Sequence, residues 1–422
     1  MIERRRVRVT GTVQGVGFRP FVFRLATGLA LAGQVSNDNL GVLIEIEGLE
    51  TALDQLIASL ATEAPPLAQV ASLEVELLIP TGQIGFAILD SRSQGAPAVA
   101  VSVDAATCEE CLAELGDPSD RRFAYPFINC TNCGPRYTII RSIPYDRAAT
   151  TMAGFEMCDR CRGEYTNPAD RRFHAEPIAC ADCGPRVTLM DTEGRALANG
   201  ADAVSQAGLA LLDGRILAIK GLGGYHLAAD ATNPAAVTEL RRRKSRDQKP
   251  FAVMVGGLAA ARHLCVLTNS AEAALTSPRR PIVLAPRRNH HTLAAEVAPG
   301  LYELGLMLPY TPLHYLVMAM VGRPLVMTSG NQSDEPIAHD DADAVARLGP
   351  MVDAIVGHDR PIHIRCDDSV VRARLGDNPV QMVRRSRGYA PEPINLARPS
   401  GGHVLAVGAE LKNTVAVAKG MN

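Results

Sequence analysis

The sequence predicts a multidomain chain, α+β at its N-terminus and α/β in its second half, with a cysteine-rich module between them. Three observations predict it. The 422 residues exceed what one ordinary core accommodates. The hydrophobic period switches between two and about 3.6 in a regular order over the first ninety residues and again after residue 200. Between those regions lie four C-x2-C pairs and little apolar periodicity.

The N-terminal elements follow in order. In "RVRVTG", Val7 and Val9 alternate with Arg6, Arg8 and Thr10, the pattern of a half-buried strand. Gly11, Gly15 and Gly17 end that pattern, and Pro20 suits a first helical turn. Phe21, Leu25 and Leu29 then share a helical face. "QVSNDNLGVLIEIEG" reads as two strands joined by a tight turn at "NDNLG". "LETALDQLIASLAT" is an amphipathic helix and "VASLEVELL" a closing strand. The order βαββαβ is that of a ferredoxin-like split unit, assigned to residues 1–92.

A glycine loop entering a helix aims backbone N–H groups at one point and forms an anion site. Arg19 stands at that helix start, where a guanidinium can fork onto phosphate oxygens. A purely structural glycine loop is the alternative reading of the pattern alone.

The cysteine pairs are Cys108/Cys111, Cys130/Cys133, Cys158/Cys161 and Cys180/Cys183, separated by 18, 24 and 18 residues. Such spacing suits zinc, each pair gripping one edge of a tetrahedron with thiolates. Eight ligands make two closed sites with no open position for water, so the two Zn2+ ions are expected to be structural. The module is written twice: "DRRFAYPFINCTNCGPR" from Asp120 and "DRRFHAEPIACADCGPR" from Asp170. One zinc per repeat is the simplest pairing, and pairing across the repeats is the alternative. His174 replaces Ala124 of the first copy and is read as a packing or contact residue rather than a ligand. The module is bounded at 104–190. A unit of about 35 residues buries too little core to stand without its metal, and the doubled module is expected to act as a rigid connector.

From residue 198 to 390 helix and strand alternate. "ADAVSQAGLALLDG" and "NPAAVTELRRRKSRD" are helical, while "RILAIKG", "FAVMVG", "PIVLAP" and "PLVMTSGN" read as buried strands. The run "RRRKSRDQK" carries six cations and one acid. It is either a solvated helix end or part of a nucleotide or phosphate site. The preceding "KGLGGYH" is no Walker A loop, because no G-K-[ST] follows.

Composition limits the function. The net charge of -2 and an aromatic content of 4% with no tryptophan argue against a nucleic-acid surface. No apolar run reaches the ~18–20 residues of a membrane span, and "MIERRRVRVTG" lacks the apolar segment of a signal peptide. Cysteines in C-x2-C pairs suit a reducing compartment. The chain is expected to be cytoplasmic, with no membrane association and no nucleic-acid partner.

The motifs carry resemblances more specific than these patterns. "GTVQGVGFR" and "GQVSNDNLGV" resemble the two acylphosphatase signatures, over roughly residues 5–90. That resemblance implies that the loop Gly15, Val16, Gly17 and Phe18 cradles phosphate. It implies further that Arg19 holds the acyl phosphate and Asn37 orients the attacking water, without a metal. "KGLGGYHLAADATNPAAVTELRRRKSRDQKPFAVMV" and "VMTSGNQSDEPI" resemble the YrdC family, whose K-x-R and S-x-N motifs line a nucleotide pocket. Here these are Lys244 with Arg246, and Ser329 with Asn331; Lys249 is placed to meet phosphate. "CDDSVVRAR" and "VRRSRGYAP" resemble the domain's closing parts, with Arg365 and Arg385, beside Arg384 and Arg387, as further anion contacts. The YrdC likeness implies a carbamoyl-type adenylate made from ATP, with Mg2+. Bringing ATP and a second anion together needs several cations.

Taken in order, the three parts resemble the HypF family, carbamoyltransferases of [NiFe]-hydrogenase maturation. The resemblance implies hydrolysis of carbamoyl phosphate at the N-terminal site and adenylation of the carbamate with ATP at the YrdC-like site. Transfer to the C-terminal cysteine of the partner HypE follows, as precursor of a cyanide ligand. In that family the last transfer belongs to a TsaD-like domain. Residues 391–422, ending "HVLAVGAELKNTVAVAKGMN", resemble a linker and the start of that domain, so a truncated chain is expected. The alternative function is a YrdC-type carbamoyl-adenylate synthase acting in tRNA modification.

Overall fold

The computed structural model describes residues 1–91, 100–289, 292–333, 335–374, 376, 378–394, 396–408 and 414–420. The chain divides into two compact units, Met1–Val103 with Asn129–Gly184, and Asp104–Ile128 with Pro185–Asn422.

In the first unit, strand β1 (Ile2–Thr12) leads through the glycine loop to helix α1 (Phe18–Gly28). Strands β2 (Ala32–Asp38) and β3 (Gly41–Leu49) form the expected hairpin, followed by helix α2 (Glu50–Thr62) and strand β4 (Gln69–Leu78). A short strand β5 (Phe86–Ile88), not expected from the sequence, pairs parallel to β2. The sheet order is β4-β1-β3-β2-β5. With three residues, β5 is too short to show a period, and only its pairing reveals it.

The alternation of β1 places Val7 and Val9 on the covered face, opposite Ile44 and Val42 of β3. Helix α1 covers them with Phe18, Val22 and Ala26, and α2 adds Leu53, Leu56 and Leu60. Of the apolar positions on α1, Phe21 is buried while Leu25 and Leu29 are only partly so. The buried face is thus centred on Phe18, Val22 and Ala26, one residue off the anticipated stripe.

Each cysteine repeat opens on a two-turn helix, α3 (Glu109–Gly116) and α4 (Asp159–Thr166). Cys108 and Cys158 hold the N-cap positions, and Cys111 and Cys161 sit in the first turns. Backbone N–H groups at a helix start favour thiolate over thiol.

The second unit continues with β6 (Val187–Met190), β7 (Ala196–Asn199), α5 (Gly200–Leu212), β8 (Leu217–Lys220) and β9 (Tyr225–Asp230). Next come α6 (Pro234–Lys244), β10 (Ala252–Met254), α7 (Leu258–Leu264), α8 (Asn269–Thr276) and β11 (Ile282–Pro286). Then follow β12 (Glu303–Met307), α9 (Pro312–Val321), β13 (Leu325–Ser329), α10 (Asp341–Leu348), β14 (Ala354–His358), β15 (Val370–Arg372) and β16 (Gln381–Arg384). The strands make one mixed sheet in the order β16-β15-β11-β12-β10-β13-β9-β8-β14-β6-β7. Its core runs from Ile216 and Ala218 through Leu227 and Val253 to Val326 and Ile355.

Asn233 caps α6, its side chain accepting from Ala235 and Ala236 N–H, with Pro234 at the first helical position. The helix ends at Ser245 in the left-handed region, φ 50°. That turn directs Lys244 and Arg246 to the end of β13, where both find partners. The final segment forms a two-stranded sheet of β17 (Val404–Val407) and β18 (Val415–Ala418). The joining residues 409–413 of this anticipated hairpin, and 421–422, lie outside the described residues.

Candidate active sites and metal centres

The first candidate site is a small cleft in the first unit, about 250 Å3 including its open mouth. The glycine loop forms one wall. Gly15 and Gly17 both take left-handed conformations, φ 71° and 76°. A Cβ on Gly15 would come within 2.9 Å of the Tyr145 ring, and one on Gly17 within 3.0 Å of Thr131. The loop needs glycine for its curvature and for its close approach to the cysteine module. Arg136 fixes that approach. Its guanidinium donates to the Gly15 carbonyl at 2.6 Å and to the carbonyls of Cys130, Thr131 and Cys133 at 3.2, 2.9 and 2.8 Å.

Arg19 and Asn37 line the same cleft, from α1 and β2. Asn37 is 1% exposed, and its Oδ1 has no hydrogen-bond partner among the described residues. A buried acceptor left unspent suits holding a water. Arg19 is also buried. Its Nη2 donates to Asp146 Oδ1 at 3.0 Å and to Glu176 Oε1 at 3.1 Å, and its Nη1 lies 3.4 Å from Ser91 Oγ.

Glu176 is fully enclosed, and burial pushes its carboxyl up to about 7. Arg19, the Tyr165 hydroxyl and the Arg147 N–H oppose that push, while Asp146 adds to it. His174 also lines the cleft, against Tyr165 and Phe173 at ring distances of 5.0 and 4.7 Å. Burial, helped by Arg19, lowers its imidazole to about 4, so it is neutral near pH 7. It is therefore a wall of the cleft and not one of the clustered cysteine ligands.

The eight paired cysteines form two groups, Cys108, Cys111, Cys130 and Cys133, and Cys158, Cys161, Cys180 and Cys183. Within each group the Sγ atoms lie within 4.8 Å of one another. The pairs Cys158–Cys180 and Cys180–Cys183 stand at 3.8 Å. Four sulfurs about 2.3 Å from a zinc ion would lie about 3.8 Å apart, so the donor set fits tetrahedral Zn2+. The grouping falls within each repeat.

The second candidate site lies where α6 meets β13. Lys244 is 4% exposed, and its ammonium donates to Ser329 O, Asn331 O and Asn331 Oδ1 at 2.7, 2.5 and 3.1 Å. Ser329 Oγ donates to Asn331 Oδ1 at 2.6 Å. The two motifs, some 85 residues apart, thus form one cluster. Arg246 joins it through Thr328 Oγ1 at 3.1 Å and stacks over Phe251 at 4.9 Å. Burial lowers this guanidinium to about 10, with Arg241 and Arg384 adding to the effect. The Lys249 carbonyl accepts from Arg246 Nε at 3.1 Å.

The closing arginines are placed differently. Arg365 is exposed, and its charge adds to the burial that disfavours the His339 imidazolium. Arg385 donates to Glu392 O at 2.5 Å. Arg384 holds the Asp368 carbonyl at 2.8 Å. Arg387 is 1% exposed, pairs with Asp368 at 2.8 Å and lies 3.5 Å from the Tyr310 ring centroid. Asp368 also pairs with His226 Nε2 at 2.8 Å. Burial would raise the Asp368 carboxyl, but Arg387 and His226 hold it far below the usual carboxylate range. Arg387 is thereby committed to the domain interior.

The structure adds residues that sequence reasoning passed over, namely Tyr145, Asp146 and Glu176. For Glu176 a signal existed: it stands where the first repeat has Pro126. No helix among the described residues is long and apolar enough to cross a membrane.

The acylphosphatase family matches residues 5–88, the HypF finger matches 107–140 and 157–190, and the Sua5/YciO/YrdC family (telomere recombination) matches 209–386. Carbamoyltransferase HypF2 of Cupriavidus necator is 51% identical over 435 residues, covering 99% of this chain and 54% of the relative. Carbamoyltransferase HypF of Rhizobium leguminosarum bv. viciae is 49% identical, covering 99% of this chain and 54% of the relative. The crystal structure of full-length HypF in its phosphate- and nucleotide-bound form superposes with a TM-score of 0.94 at 44% identity, over 100% of this chain and 55% of that one. The chain spans about half the length of the curated relatives it matches.

Proposed function

The chain belongs to the HypF family, and from that premise we propose that it hydrolyses carbamoyl phosphate and adenylates the resulting carbamate with ATP. The observation that carries this reading is the convergence of the glycine loop, Arg19 and Asn37 on one cleft, with Lys244, Arg246, Ser329 and Asn331 forming a separate polar cluster. The phosphate- and nucleotide-bound form of the related full-length HypF supports both parts.

In the first cleft the backbone N–H groups of Gly15, Val16, Gly17 and Phe18 and the Arg19 guanidinium hold the phosphoryl oxygens. Asn37 Oδ1 accepts a hydrogen bond from water and aims it at phosphorus. Carbamoyl phosphate and water give carbamate, hydrogen phosphate and one proton. The leaving group is good, so positioning and charge stabilisation suffice.

At the second cluster the carbamate oxygen attacks the α-phosphorus of ATP, giving carbamoyl adenylate and pyrophosphate. Lys244 and Arg246 meet the triphosphate charge, with Lys249, Arg365 and Arg385 at its margin. Ser329 and Asn331 orient the nucleotide and the carbamate. Mg2+ would neutralise the polyphosphate in the usual way. The two zinc ions stabilise the cysteine module and take no chemical part. HypE is the proposed carbamoyl acceptor, and the cytoplasm the proposed compartment.

ATP–pyrophosphate exchange driven by carbamoyl phosphate tests the coupling. Arg19→Ala is expected to abolish both phosphate release and exchange. Undiminished exchange in that variant would end the coupled reading.

A further inference from the structure

The two cysteine repeats are one backbone carrying different side chains at two informative positions. From Asp120 to Cys130 and from Asp170 to Cys180 the copies have equal length and share Asp-Arg-Arg-Phe. The next residues, Ala124 and His174, adopt the same left-handed conformation, φ 52° and 54°. Yet the first copy has Ala124 and Pro126 where the second has His174 and Glu176, and both of these line the phosphate cleft. Neither is a cysteine ligand, and neither is needed for the finger itself, since the first copy does without them.

Glu176 is 2% exposed and reaches Arg19 across 157 residues of sequence. Its Oε2 accepts from the Tyr165 hydroxyl of α4 at 2.8 Å and from Arg147 N–H at 2.9 Å. The charged and titratable groups facing it are therefore Arg19 of α1, Asp146 and Arg147 of the segment between the repeats, and Tyr165 of α4. His174, two residues before it, lies beside Arg19 and is neutral. Asp146, the other partner of Arg19, keeps 34% of its side chain exposed, so Glu176 is the more deeply buried counterion.

A carboxylate on Arg19 occupies a donor that a phosphoryl oxygen would use. We propose that Glu176 is a positioning residue of the cleft: in the resting site it is the counterion that holds Arg19, and it takes up a proton and yields Arg19 when a tetrahedral oxyanion enters. The proton comes from solvent and goes to the carboxyl, which then faces the anion as a donor instead of a like charge. A carboxyl already poised near neutrality by burial needs only the added anionic charge to make that change. The second finger thereby supplies part of the N-terminal site. This inference rests on reading the cleft as a phosphate site.

Sulfate is the probe, because it does not ionise near neutrality. The zinc-loaded 422-residue chain is titrated by calorimetry at pH 8 in two buffers of different ionisation enthalpy. The wild type is expected to take up about one proton per sulfate, and its affinity to fall roughly tenfold per pH unit above about 7. Glu176→Gln is expected to take up none, to bind at least about tenfold more tightly at pH 8, and to lose the pH dependence. An unchanged affinity and proton count in Glu176→Gln overturn the proposal. So does wild-type binding without proton uptake, which decides the matter even where the variant fails to fold. Arg19→Ala separates the premises. Sulfate binding that survives it defeats the phosphate-site reading itself. Binding lost in Arg19→Ala but indifferent to Glu176→Gln defeats only the role of Glu176.

Discussion

At the end of α6 the Lys244 ammonium is buried against the oxygens of Ser329 and Asn331, an arrangement that holds a cation where an anionic ligand can recruit it. Removing it leaves those acceptors without this donor and the site with one cation fewer beside Arg246. Lys244→Ala is expected to lower ATP–pyrophosphate exchange by at least about 100-fold. Phosphate release from carbamoyl phosphate should be untouched, and loss of both would contradict separate sites. Asp368 is a contrasting residue, buried between Arg387 and His226. Asp368→Asn strands the Arg387 charge in the interior, at a cost of about 3–5 kcal/mol, read as a lowered urea midpoint. His174 makes a pH prediction. Its imidazole is neutral in the fold down to about pH 4, whereas an unfolded histidine charges below about 6.5. The unfolded chain therefore binds the extra proton in that window. The contribution of His174 is fully present above about 6.5 and is lost as pH falls towards 4. Titration of its ring resonances by NMR should show no protonation near pH 6.

At the scale of elements, the loop between β1 and α1 shows how a site is built from conformation. Gly17 is both the N-cap of α1 and left-handed, so the helix begins directly at the turn of the loop. Gly17→Ala forces a side chain into positive φ and within 3.0 Å of Thr131. It is expected to cost about 1–2 kcal/mol and to lower kcat/KM for carbamoyl phosphate, with ATP–pyrophosphate exchange supplied with carbamate itself left intact. The loop was legible because glycine spacing and a following amphipathic helix are local signals. Helix α6 was legible for the same reason, but its expected span ran to Asp247, whereas it stops at Lys244 because Ser245 turns left-handed. Strand β5 was not. Its three residues join the sheet only because the β2 edge offers unpaired backbone groups.

At the scale of the whole molecule, the two four-cysteine groups act as local staples within segments that contain little apolar periodicity. The sulfur separations near 3.8 Å leave thiolates crowded unless a cation joins them. Two zinc ions per chain are expected by metal analysis. Chelation should expose 104–190 to proteolysis, leaving the cores built on Val7, Val9 and Ile44, and on Leu227 and Val326, protected. Unchanged digestion after metal removal would contradict that.

Residue type and spacing alone specify the order of the parts and the ligand chemistry of the cysteines. Each is a short-range property, written in spacing and residue type over a few dozen positions. The tertiary structure alone decided which residues share a site. It gave Arg19 two carboxylate partners, from Asp146 and Glu176, and Lys244 its partners at Ser329 and Asn331. It also turned Arg387 from an anion-site candidate into a buried ion pair. Hydrophobic period reports which face of an element is covered, but not what lies across from a charge. That depends on packing between segments up to 157 residues apart, where burial of a carboxylate or guanidinium obliges each to find the other.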